Sequence, residues 1–215
     1  MCPAATADSS VDRREQILVA AERLFAEHGY HGTTMRMIAE EAGVKLSLIV
    51  YHFKAKLRLY REIFLRRQYV NERRRALLAD VDPDAVDALD RIAAAFVDPV
   101  VELHDSPDDI WYARLVLREA ADPSSQDRGI VRELFDPMAR EFIAAIRRAA
   151  TGRSEDFYRW AYLFAVGALT QSSFDVRLRD LATDGPDAGE KTSNPVKAAY
   201  LRAFIRAGWA AEITA

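Results

Sequence analysis

The sequence predicts an all-α protein in two parts: an N-terminal three-helix domain holding a helix-turn-helix, then a C-terminal helical bundle. Three observations carry this. Apolar residues recur at helical spacing along nearly the whole chain. Two short periodic stretches near the N-terminus are divided by a glycine-containing turn. Charge is also divided: residues 11–75 hold 14 Lys/Arg against 8 Asp/Glu, while the rest of the chain carries 16 against 25. A basic head on an acidic body suits a polyanionic partner at the head alone.

The first helix is read in DRREQILVAAERLFAEHGY. Ile17, Ala20, Ala21, Leu24 and Phe25 form one apolar stripe, which stops at Gly29. Thr34 is placed to N-cap a short helix that buries Ile38, Ala39 and Ala42. Gly43 follows where a left-handed backbone turns the chain sharply. A third helix runs over about 45–52. At about 100° per residue, Ile49 and Phe53 share one face with Leu46 at its edge, and these pack on the first two helices. Ser47 and Tyr51 fall on the opposite face, flanked by Leu48 and Val50. Only half of the apolar residues in AGVKLSLIVYHF are therefore core.

From Ala55 a single long helix is expected over 55–81, with Leu59, Tyr60, Ile63 and Phe64 inside. The run Arg73-Arg74-Arg75 lies ~25 Å along it from Lys56 at ~1.5 Å per residue, and reads as a solvated face. Further helices are expected over 83–104, 108–121, 124–150, 154–181 and 195–212, with a polar, mobile, Gly-rich loop at 183–194. WAYLFAVGALT, inside the 154–181 helix, is apolar all round, which calls for burial on two sides. It is shorter than the roughly 18–20 apolar residues of a bilayer span. The lone Cys2 and the lack of a basic-then-apolar leader point to a cytoplasmic protein.

Catalytic and metal signatures are few. His28, His31, His52 and His104 make no HExxH, no Cys or carboxylate cluster has ligand spacing, and TGRS at Thr151 lacks the glycine and lysine of a phosphate loop. No metal or cofactor is expected. His28 and His31 read as two exposed turn histidines. A helical enzyme with a basic head stays open as an alternative, as does an architectural DNA-binding protein without an effector.

The block ILVAAERLFAEHGYHGTTMRMIAEEAGVKLSLIVYHFKAKLRLYREIF resembles the DNA-binding domain of TetR-type transcriptional regulators. The matching features are the first helix ending at Phe25, Gly29-Tyr30, Thr34 before Ile38-Ala39, Ala42-Gly43-Val44, His52-Phe53, and Lys56 before Leu59. Beyond this block the likeness is one of architecture. The resemblance implies a DNA-binding domain over 11–71, with the helix-turn-helix at about 34–53, and an effector-binding and dimerisation domain over 72–215. Thr34 would hold a phosphate or only cap its helix. Lys45, Leu46, Ser47 and Val50 would face bases, Tyr51 and His52 the DNA backbone, and Lys56 a phosphate. His52 could instead be an ordinary half-buried histidine. Val50 stands where the family usually has tyrosine, and Leu46 and Leu48 where it has small or polar residues. Direct hydrogen bonds to bases then fall to Lys45, Ser47 and Tyr51, with Val50 and Leu48 suited to thymine methyls.

The resemblance further implies a homodimer on a two-fold symmetric operator, acting as a repressor that a small, largely apolar effector releases. Pairing through the last two helices would use Ala161, Ala168, Tyr200, Phe204 and Gly208, with Trp209 as another large residue set against small ones. Pocket candidates are Phe64, Phe96, Trp111, Phe142, Trp160 and Phe164, with Gln171 and Thr170 as orienting polar groups. Asp98-Pro99 and Asp136-Pro137 place prolines within helical patterns, which would kink them and open a gap. The alternative reading is that these aromatics fill the core and the prolines mark helix ends.

Overall fold

The computed structural model describes residues 6–106, 109–172 and 192–212. Among the described residues the chain is helical throughout and forms two compact units. The first is Met1–Gln68 with Arg114–Val131, the second Tyr69–Ala113 with Arg132–Ala215. A single cut after residue 71 does not describe this division, because a later segment of chain returns to the first unit.

In the first unit, α1 (Thr6–Gly32) runs regularly up to Gly29, whose φ of 73° and ψ of 174° break it. Only glycine holds such an angle without a Cβ clash. The wholly buried Thr33 then shares its hydroxyl proton between the carbonyls of Leu24 (3.0 Å) and Gly29 (2.9 Å), satisfying acceptors that the break frees. Next come α2 (Met35–Glu41) and α3 (Leu46–Phe53). Thr34 caps α2 by accepting the Met37 N–H at 3.2 Å. Gly43, at φ 63°, makes the turn between the two. The helix α4 (Lys56–Arg66) lies against α1. Its Tyr60 meets Phe25 edge-on at 4.7 Å and Phe64 at 5.2 Å, in a core with Ile17, Ile38, Ile49 and Phe53.

The long helix expected over 55–81 is two. Arg67 leaves helical geometry (φ −100°, ψ 10°), and α5 (Gln68–Ala79) begins after it. Arg66 and Arg67 both reach the buried carboxylate of Glu22, at 2.9 and 3.0 Å. Neighbours on a regular helix point about 100° apart, so a break there lets both converge.

The second unit contains α5, then α6 (Ala88–Val101), which ends in a 3-10 turn at Glu102–Asp105. The helix α7 (Asp109–Ala121) gives its first residues to this unit and its remainder to the first. The helix expected over 124–150 is three pieces: α8 (Ser125–Arg128), α9 (Ile130–Leu134) and α10 (Asp136–Ala149). Gly129, at φ 69°, separates the first two, and Pro137 sits in the first turn of α10. Pro137 thus starts a helix, where its missing N–H costs nothing, and does not kink one. Pro99 does lie inside α6. The helix α11 (Glu155–Gln171) is capped by Ser154, which accepts the Phe157 N–H. Residues 173–181 of the expected 154–181 helix, and 183–191 of the expected loop, lie outside the described residues. The last helix, α12 (Asn194–Ala210), packs along α6 and α11.

The core of this unit is centred on Phe96. Its ring meets Phe142 (5.2 Å), Trp209 (5.7 Å) and Tyr162 (5.8 Å), each edge to face. Trp209 is only 1% exposed and donates its indole N–H to the Ala161 carbonyl at 3.2 Å. It belongs to the interior, which corrects the expectation that it faces a partner. Among the described residues no helix is long and apolar enough to cross a membrane.

Candidate functional site

The helix α3 is anchored by Ile49 (0% exposed) and Phe53 (1%), which face α2 and the rest of the first unit's core. The four-residue spacing of these two fixes the rotation of the helix, and so decides what faces outward. Ser47, Val50 and Tyr51 are exposed, Leu46 lies at the edge, and Leu48 is half-buried. Arg13, Lys45, Ser47, Leu48 and Tyr51 line a shallow concavity of about 510 Å³ at the start of α3, with Gly43 and Val44 as its floor. It offers two cations, a hydroxyl, a phenol and an aliphatic contact. Arg13 belongs to α1, and its place at this surface is invisible in the local pattern around 45–53.

Tyr51 projects freely, with the Lys54 ammonium 5.5 Å from its ring centre. His52 is half-buried and lies edge-on to Tyr51 at 5.2 Å. Thr34 is an N-cap with its remaining surface exposed.

Lys56 is engaged within the protein. Its ammonium donates to the carbonyls of Tyr30 (2.9 Å) and Thr33 (3.1 Å) and sits 4.3 Å above the Tyr30 ring. Two of its three protons are committed within the protein, and partial burial holds its pKa below the usual lysine value. Lys56 is first a strut between α4 and the α1–α2 turn. A phosphate would have to share the third proton.

The pocket candidates separate into distinct groups. Phe64 is fully buried in the first unit, while the other candidates belong to the second. Phe96 and Phe142 are buried in the second unit, and Trp111 is half-buried there. Trp160 (58% exposed) and Phe164 (67%) face outward, stacked on each other at 5.5 Å, and Gln171 is exposed. The apolar character of α11 all round hides, in the sequence, which side is which. Thr170 turns its hydroxyl back to the Gly167 carbonyl.

On that outer side, Trp160, Phe164, Phe204 and Gly208 line a cleft of about 1020 Å³ between α11 and α12. Tyr200 (70% exposed) and Phe204 (69%) stand on α12. Of the small residues named for pairing, Gly208 is exposed and Ala168 half-buried. Ala161 is 9% exposed beneath Trp209, so it serves the core as well as the cleft wall.

Besides Arg13, sequence reading misses a residue of the second unit. Arg74, expected on a solvated face, is 5% exposed, with its guanidinium carbon 4.6 Å from the centre of Phe96 and 5.3 Å from that of Phe142. The signal is present: the buried positions of α5 are Val70, Asn71, Arg74 and Leu78, a helical stripe that runs through the arginine.

Comparison with known proteins agrees with this geometry. Residues 17–63 match a family model described as "Bacterial regulatory proteins, tetR family". Residues 94–208 match one described as "Tetracyclin repressor-like, C-terminal domain". The HTH-type transcriptional repressor AcnR of Corynebacterium efficiens is 45% identical over 56 residues, which are 26% of this chain and 30% of that protein. The HTH-type transcriptional activator FasR of Mycolicibacterium smegmatis is 42% identical over 55 residues, 26% of this chain and 25% of FasR. The matched segment thus spans less than a third of either relative. Two solved structures share the fold over nearly the whole length. The TetR family regulator PfmR from Thermus thermophilus has a TM-score of 0.58 at 20% identity, covering 89% of this chain and 96% of its own. A TetR-like regulator from a Rhodococcus species has a TM-score of 0.60 at 19% identity, covering 99% and 100%. These proteins are regulators and not enzymes. The C-terminal match alone covers more than half of the chain, and with the N-terminal match it places this protein in the TetR family of DNA-binding transcriptional regulators.

Proposed function

We propose that this chain is a homodimeric repressor that binds a two-fold symmetric operator and leaves it when a small molecule occupies the second unit. The observation that carries the DNA-binding part is the outward face of α3. Its anchors Ile49 and Phe53 are fully buried, while Ser47, Val50 and Tyr51 stand in the open beside Lys45 and Arg13. We assign base contacts to Lys45, Leu46, Ser47 and Val50, and backbone contacts to Thr34, Tyr51 and His52. Residues 11–71 act as the DNA-binding domain, supported by the returning segment around Arg128, and 72–215 as the effector and dimerisation domain.

The exposed aromatic face of α11 and α12 is the pairing surface, because a cleft lined by Trp160, Phe164 and Phe204 is an unusually apolar patch for a monomer. A dimer must present its two α3 helices about one DNA turn apart, ~34–36 Å or a multiple. An effector that favours another spacing releases the DNA, and a ~100-fold preference for the released state shifts the balance by roughly 2.7 kcal/mol per site. Relatives include both a repressor and an activator, so the sign of regulation is tested directly. An operator selected from random DNA, placed before a reporter, should give lower expression when the protein is present. Higher expression would make it an activator, and selection of no sequence would favour an architectural role.

A further inference from the structure

Three consecutive arginines in α5 meet three different fates. Arg73 is paired with Glu102 and Arg75 with Glu141, both at the surface. Arg74 turns inward, and its Nε and Nη2 have no hydrogen-bond acceptor among the described residues. Those two nitrogens lie on one edge of the guanidinium, the edge that grips a carboxylate through two parallel bonds. The amide nitrogen of Asn71, three residues earlier on the same helix face, is also buried without an acceptor.

Among the described residues no carboxylate pairs with Arg74. Burial lowers its pKa to about 10, and the groups acting against that shift are the hydroxyls of Tyr162 and Tyr112, not a carboxylate. Asp98 is held by Arg202 at 2.9 Å and lies about 200° round α6 from Phe96, the ring beneath Arg74. A buried cation with unpaired donors, resting on two aromatic faces, is costly on its own. It is well suited to an anion brought from outside.

We infer that the interior of the second unit binds a small organic carboxylate. Its carboxyl group is held side-on by Arg74 with Asn71 as a further donor, and its apolar body lies against Phe96, Phe142 and Tyr162. This rests on the reading that the second unit takes an effector, and changes its chemistry from merely apolar to apolar and anionic.

The test uses the full chain without DNA. Benzoate, phenylacetate, hexanoate and decanoate are each compared with their primary amides by calorimetric titration and thermal unfolding. At least one carboxylate should bind about tenfold or more tightly than its amide. Arg74→Met should abolish that preference, and without ligand should melt no lower than the parent, since an unpaired buried charge has been removed. Equal affinity for acids and amides throughout, or a preference that survives Arg74→Met, overturns the inference. So does a large loss of stability in unliganded Arg74→Met, which would make Arg74 a structural residue. Crystals soaked in 4-bromobenzoate give an independent reading: a carboxylate within about 3.2 Å of Arg74 supports the site, and bromine found only elsewhere overturns it. Operator affinity is measured separately. A carboxylate that binds at Arg74 and leaves it unchanged keeps this site and removes the release mechanism. An amide that releases the operator as well as its acid does the reverse.

Discussion

The Tyr60 hydroxyl donates to the Glu119 carboxylate at 2.9 Å, joining α4 to a helix 59 residues further along the chain. Glu119 is 1% exposed and also accepts from Arg128 at 2.7 Å, and Arg128 continues to Asp122 at 2.7 Å. Beside it, Arg118 donates to the carbonyls of Ala26 (2.6 Å) and Glu27 (2.9 Å), where α1 is about to break. The segment Arg114–Val131 is thereby part of the unit that carries the helix-turn-helix.

Removing Glu119 leaves a buried guanidinium without its main partner, so Glu119→Leu should destabilise the protein by about 3 kcal/mol. Tyr60→Phe leaves the ion pair intact and should cost about 0.5–1.5 kcal/mol. Urea denaturation followed by helical circular dichroism compares the two. Equal midpoints for both variants would mean that the network contributes no more than one ordinary hydrogen bond.

The acid limb of stability should depend on Asp122. Hydrogen bonds from the Ser124 backbone N–H and hydroxyl, then from Arg128, hold its pKa down at about 2. The depressed pKa means that its contribution is present above the ordinary carboxylate value of ~3.9 and is lost as pH falls towards 2. Asp122→Asn should therefore flatten the fall in melting temperature between about pH 4 and 2. An unchanged slope in that window would show that the Asp122 bonds carry no stability.

Two local devices in the helix-turn-helix can be separated by mutation. Thr34→Ala removes the cap of α2 and should cost about 1 kcal/mol. A Cβ at Gly43 would meet nothing within 4 Å, so Gly43→Ala carries only the strain of φ +63°, about 1–2 kcal/mol. Thermal unfolding checks both. A loss well beyond this at Gly43 would reveal a close contact there.

Lys45 and Lys56 should behave differently on DNA. Lys45→Ala should weaken binding to the selected operator by about 1–3 kcal/mol, weaken binding to other sequences less, and relax the preference at the base it contacts. Lys56→Met should mainly lower stability, because it removes the bonds to Tyr30 and Thr33. Binding isotherms at several salt concentrations, with melting curves alongside, decide it. A full unit of slope lost with stability intact would restore Lys56 as a phosphate ligand.

For assembly, Phe164→Glu and Phe204→Glu place charge on the exposed face of α11 and α12. Either should yield a folded monomer of 24.2 kDa with greatly weakened operator binding. Sedimentation at micromolar concentration reads this. An unvaried oligomer in both proteins would place the pairing surface elsewhere.

The sequence by itself determined the features that rest on neighbours a few residues apart. The apolar period set the helices, Thr34 and Gly43 set the ends of α2, and the spacing of Ile49 and Phe53 set which side of α3 points out. Each of these is decided within a turn or two of backbone. Other outcomes depended on residues far along the chain, and only the tertiary structure decided them. Trp209 faces inward because Ala161 and Phe96 receive it, while Phe164, on an equally apolar helix, faces out. Arg66 and Arg67 part α4 from α5 where Glu22 of α1 draws both. The charged neighbours of Arg74 point it to solvent, yet the rings of Phe96 and Phe142 cover it from helices 22 and 68 positions away. Local periodicity states that a helix has an inner side; long-range packing alone decides which polar group must live there.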